Sequence, residues 1–139
     1  SFNSPMPENA SIVDIDTSFF GLPVLVMSVN GYALKTAFDT GARYPFVGSW
    51  KKNEVNLGNA FEQIEDYNPF KGHFTADLHK GNIALGTCEF ADTTIAVGNV
   101  YDEASSMVHV DAFLGLDCLI NAGCKLWLSY PTDMMAIAE

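Results

Sequence analysis

The residues best suited to chemistry are Phe38-Asp39-Thr40-Gly41-Ala42. Asp39 ends an apolar run over 32–38, and a hydroxyl residue and a glycine follow it. On local composition this is a turn after a strand, because Asp and Gly both favour turns. A carboxylate in such a place is also a candidate general acid or base. Gly41 lets the backbone turn tightly beside that carboxylate and donate its N–H to it. Other chemistries find less support. His73, His79 and His109 match no helical zinc pattern and read as solvated or capping side chains. Cys88, Cys118 and Cys124 form no Cys-x-x-Cys pair and are too few for a disulfide framework. One bridge plus one thiol and three free thiols both fit. No spacing marks a thiol activated by a placed histidine. No glycine-rich phosphate loop or dinucleotide fingerprint occurs, so nucleotide chemistry is not expected; with the metal patterns also missing, no cofactor is expected.

Further along the chain stands Ala112-Phe113-Leu114-Gly115-Leu116-Asp117, an apolar pair before Gly that leads into a short helical pattern. Taken with Asp39-Thr40-Gly41-Ala42, the chain resembles the retropepsin-like aspartic peptidases, single-domain relatives of pepsin that include the retroviral proteases. The shared elements are a hairpin feeding Asp-Thr-Gly-Ala, a variable middle, a second hairpin, an apolar-apolar-Gly strand, a short helix and a C-terminal strand. The resemblance covers residues 22–139.

The resemblance implies an endopeptidase. Peptide hydrolysis without a metal needs a base to activate water and an acid to protonate the carbonyl oxygen and leaving nitrogen. In aspartic proteases, as is well established, two neighbouring carboxylates cannot both ionise, so they share one proton and supply both roles. They titrate as a pair. Asp39, Thr40 and Gly41 would be the catalytic residues, with Thr40 holding two loops together across the dyad. Ala42, Arg43, Tyr67, Phe70, Phe113, Leu114 and Gly115 would form the substrate site, the last three packing beneath the catalytic loop. A two-lobed pepsin-like enzyme has two Asp-Thr/Ser-Gly motifs, whereas this chain has one. Asp16-Thr17-Ser18 and Asp92-Thr93-Thr94 lack the glycine. The second aspartate must then be Asp39 of another copy, which requires a two-fold homodimer with the site on its axis. Leu126, Trp127, Leu128, Met134, Met135 and Ile137 are either its interface, by analogy, or part of the domain's own core. The family's mobile flap falls in the middle region. Residues 66–72 offer a turn-like tip with two aromatics, and Gly58-Asn59 and Lys80-Gly81-Asn82 are rival tips. Arg43 departs from the small or acidic residue common at its place in retroviral enzymes. Pointing inward it would weaken the shared-proton state; otherwise it is a solvated loop charge.

The elements that must position these residues are short. Asn30-Gly31 between apolar runs is a strong hairpin signal. A second strand-turn-strand spans 82–97, turning at Gly86-Thr87, and a third spans 125–138, turning at Pro131-Thr132-Asp133. Short helices are expected over 60–67, capped by Asn59, and over 116–122, stopped by Gly123. This is an all-β, closed or barrel-like acid-protease domain with one or two short helices, half of a symmetric dimer. Residues 1–10 read as a flexible N-terminal arm and 11–139 as the domain.

Composition agrees. At 139 residues, 48% hydrophobic and 17% charged, the chain suits one packed core. Its net charge of −10 argues against nucleic acid and anionic membrane partners. The longest apolar stretch, 19–29, is too short and interrupted to span a bilayer. The start at Ser1 without a Met points to removal of an upstream segment, with a lean to an extracytoplasmic place. The partners expected are a peptide or protein substrate and a second copy of the chain. The alternatives are a catalytically silent peptide-binding domain of the same fold and a plain structural β-domain in which Asp-Thr-Gly is only a turn.

Overall fold

The computed structural model describes residues 10–14, 24–38, 43–68, 72–99, 110–115, 119, 125–129 and 134–138. Strand β1 (Ser11–Asp14) precedes the hairpin that Asn30-Gly31 signals, in which β2 (Val24–Val29) pairs antiparallel with β3 (Tyr32–Phe38). Asn30 and Gly31 have φ of 50° and 83°, the positive pair that a two-residue hairpin turn needs. Asn30 also ties the turn to its surroundings. Its Nδ2 donates to the carbonyls of Val55 and Asn56 at 3.0 and 3.1 Å, and its Oδ1 accepts the Asn82 N–H at 2.9 Å.

Strand β4 (Phe46–Gly48) leads into a 3-10 turn (Ser49–Lys51) and the short helix α1 (Lys52–Val55), which ends on left-handed Asn56. Then come β5 (Glu62–Asn68), β6 (Gly72–Leu85) and β7 (Cys88–Gly98), followed by β8 (Ala112–Leu114), β9 (Lys125–Ser129) and β10 (Met134–Ala138). The order β2-β3-β8-β4-β7-β6 closes on itself through Ser28↔Ala84 and Val29↔Ile83, giving a six-stranded barrel. Strand β5 hangs on β6 outside the ring. A separate sheet, β1-β10-β9, is antiparallel throughout.

Several expectations change. Residues 60–67 do not form a helix. Glu62 to Asn68 pair residue by residue with β6, from Glu62↔Leu78 to Asn68↔Gly72. That ladder lays half-buried Ile64 opposite buried Ala76, and such pairing overrides a local cap signal from Asn59. Lys80-Gly81-Asn82 lies inside β6 and is no tip, and Gly58-Asn59 joins α1 to β5. The 82–97 unit is the far end of a longer hairpin turning at Gly86-Thr87. Of the helix expected over 116–122, only Leu119 lies within the described residues, and it is buried. The turn at 131–133 and residues 1–9 lie outside them.

Two apolar clusters fill the structure. The larger contains Met27, Leu34, Phe38, Leu85 and Leu114. Ile137 of β10 is fully buried in it, so this residue belongs to the domain's own core. The smaller contains Ala37, Phe46, Leu78, Ala96 and Phe113, with Tyr44, Ile64 and Phe74 packed half-buried against it. Alternation explains the split: Phe38 and Leu114 face one cluster while their neighbours Ala37 and Phe113 face the other.

Candidate active site

Strand β8 is the floor of the candidate site. It lies between β3, which it meets in parallel through Phe38↔Leu114, and β4, which it meets antiparallel through Phe46↔Phe113. Residues 39–45 join those two flanking strands. Asp39, Thr40, Gly41 and Ala42 lie outside the described residues, as does Phe70. Arg43 is exposed, and Tyr44 is half-buried against the smaller cluster. The Pro45 carbonyl accepts the Ala96 N–H at 2.9 Å, which fixes the chain as it enters β4.

Phe113, Leu114 and Gly115 are all buried. Phe113 and Leu114 fill the two cores from opposite faces of β8, which places their side chains under the strand ends. The other end of β8 is clamped. The Asp111 N–H donates to the Lys35 carbonyl (2.8 Å), and its own carbonyl accepts the Gly48 N–H (2.9 Å). Trp50 Nε1 donates to Asp111 Oδ1 at 2.8 Å. The Trp50 ring lies so close over Gly48 that a Cβ there would collide with it, which favours glycine at this position.

The strands β5 and β6 pair out to Asn68↔Gly72, and residues 69–71 lie outside the described residues. Tyr67 is exposed near that end and meets His73 across the strands, ring centroids 5.4 Å apart at 64°. On the other face, Phe74 packs edge-on against Phe46 of β4, centroids 6.5 Å apart at 75°. The hairpin is thus joined by an apolar wall to the strand that follows the Asp39 segment.

No protein-family profile and no curated protein matches the chain. Among solved structures, a retropepsin-like aspartic protease from Rickettsia conorii superposes with a TM-score of 0.65. It covers 93% of this chain and 89% of that one, at 16% identity. The fold is retropepsin-like. Simian foamy virus (mac) protease also aligns, with a TM-score of 0.48 and 13% identity over 72% of this chain and 94% of that one.

Within this retropepsin-like barrel one histidine stands apart. His79, expected to be solvated or capping, is fully buried on β6, and neither ring nitrogen has a hydrogen-bond partner among the described residues. It lies opposite Ile95, in a wall of aliphatic side chains. Buried polar groups left unpaired cost about 1–3 kcal/mol each. His79→Leu, similar in bulk, is therefore expected to stabilise the fold by about 1–3 kcal/mol, read as a higher urea midpoint at unchanged slope. A lower midpoint would mean that the ring nitrogens are partnered. His73 is exposed, and His109 lies outside the described residues. Among the described residues no three His, Cys, Asp or Glu gather as metal ligands, and no helix is long and apolar enough to cross a membrane.

Tyr44, Phe74 and the Trp50–Asp111 clamp were not marked by motif reading, and Asp66 was marked only as the start of a turn-like stretch. For Phe74 a signal exists: apolar residues recur at 74, 76 and 78, the period of a half-buried strand. For Trp50 and Asp111 none exists, because their meeting depends on β8 inserting between β3 and β4.

Proposed function

We propose that the chain is an aspartic endopeptidase whose water-activating dyad is formed by Asp39 from each of two copies. What carries the proposal is the position of the motif: Asp39-Thr40-Gly41 follows Phe38 where β3 runs beside Leu114, in a retropepsin-like barrel. The two carboxylates share one proton, one acting as base toward water and the other as acid toward the substrate carbonyl and leaving nitrogen. Gly41 permits the tight turn, and Phe113, Leu114 and Gly115 support it from below. The β5–β6 hairpin is the flap, holding an extended peptide by strand-like hydrogen bonds and excluding water. Ala42, Arg43, Tyr67 and Phe70 border the substrate.

The test is hydrolysis of an unfolded protein from about pH 3 to 7, a range that brackets a shared-proton pair, over a wide span of enzyme concentration. Because one chain supplies one aspartate, rate per chain is expected to rise with concentration and level off as the dimer saturates. A rate per chain that is flat while the protein sediments as a monomer would rule out the shared dyad. Binding of peptide without turnover would make the chain a silent member of the fold.

A further inference from the structure

Beneath the candidate flap lies an acidic group with a defined direction. Asp66 is paired directly with Phe74 and stands two residues from Ile64. Strand alternation therefore puts its side chain on the face of the hairpin that carries Ile64 and Phe74. Those two, with Tyr44, form the half-buried apolar wall over Phe46 and Phe113. Asp66 is itself half-buried. Its Oδ1 accepts the Tyr67 N–H at 2.8 Å, and its second oxygen has no partner among the described residues. The site is an apolar wall ending in a carboxylate.

From this geometry we infer that the substrate taken beneath the hairpin carries a lysine or arginine side chain whose head reaches Asp66. The inference rests on the reading of β5–β6 as a flap. Long basic side chains have an apolar stem and a charged head, and so match such a surface at both ends. The stem lies along Ile64 and Phe74, and the head makes a charge-assisted hydrogen bond to the free oxygen of Asp66. The neighbouring charges act in the same direction. Glu62 and Glu65 are exposed on the same strand, whereas Lys80 is engaged by Thr94 Oγ1 (2.8 Å) and lies over Phe61. An acidic substrate meets repulsion along the whole strand. Glu65, on the outer face, also blunts the open edge of β5 against unwanted strand pairing, whereas Glu62 and Asp66 share the inner face.

The experiment uses peptides that differ at one position flanking the cleaved bond, each position carrying lysine, norleucine or glutamate in turn. Norleucine keeps the stem and removes the charge. Values of kcat/KM are compared for wild type, Asp66→Asn and Asp66→Lys at about pH 6, where ordinary carboxylates are ionised. At one position wild type is expected to prefer lysine over norleucine on the order of tenfold, with glutamate slowest. Added salt is expected to shrink the preference. Asp66→Asn should collapse the ratio toward one, and Asp66→Lys should favour glutamate. A ratio taken within one sample does not depend on how much of it is folded. A wild-type ratio at or below one at every position, or one untouched by Asp66→Asn, overturns the inference while leaving the endopeptidase intact. No cleavage of any peptide overturns the endopeptidase reading and the inference with it.

Discussion

Asp39→Asn is expected to lower peptide hydrolysis about 10⁴-fold while leaving the protein folded. An amide keeps the size of the carboxylate but can neither accept the proton of water nor return it to the leaving nitrogen. Because every copy of the variant carries the change, both halves of the dyad are lost together. The arrangement also predicts interference. When wild type is mixed with excess Asp39→Asn, most wild-type chains find a mutant partner and the resulting dimers hold one aspartate. Activity should then fall as the variant is added, although the amount of wild type stays constant. Chemistry confined to one chain would be indifferent to the addition. Active-site titration of the mixtures, with mass measured in parallel, separates the two outcomes. Equal hydrolysis by wild type and Asp39→Asn would exclude Asp39 from catalysis.

Leu114→Ala is expected to cost about 2–5 kcal/mol, the range for deleting a fully buried leucine. Leu114 has no exposed surface and stands beside Phe38, the last residue before Asp39. The cavity therefore opens under the strand end that leads into the Asp39 segment. Leu85→Ala is the comparison: it is equally buried and lies at the Gly86-Thr87 turn. Both variants should unfold at lower urea. Under conditions where each is fully folded, Leu114→Ala should also lose activity, because misplacing a reacting group by about 1 Å can cost on the order of 100-fold. Leu85→Ala should not. Equal activity of the two would mean that β8 supports the fold without positioning the site.

Much of this architecture was legible in the residues because the signals are local. Asn30-Gly31 fixes a hairpin by backbone preference alone, and Gly86-Thr87 lies between runs that can only pair. The strand β8 was legible through Ala112-Phe113-Leu114-Gly115, a short apolar run that suits a strand buried on both faces. What was not legible is what depends on distant partners. Glu62 to Tyr67 have weak strand preference, and their extended form comes from β6. His79 reads as a polar surface residue until Ile95 is seen opposite. Ile137 was equally suited to an interface or a core, and only the packing of β10 against the larger cluster decides between them. The motif at Asp39 was legible as a motif, but the proposed pairing with a second copy rests on counting, not on any residue beside it.

The insertion of β8 between β3 and β4 also has a consequence in time. Thr36 pairs with Ala112 and Val29 with Ile83, so the closing contacts join segments far apart in the chain. Such non-local pairings slow folding, toward the millisecond-to-second range. Ribosomes add roughly 5–20 residues each second. The segment bearing Asp39 is therefore made well before β8, and the ladder that joins β3 to β4 cannot close until β8 is made. A nascent chain has Asp39 without the strand that lies beside β3 in the finished fold. On the proposed function, hydrolysis waits until β8 has joined β3 and β4 and a second copy is at hand, so a half-made chain is harmless to the cell that makes it.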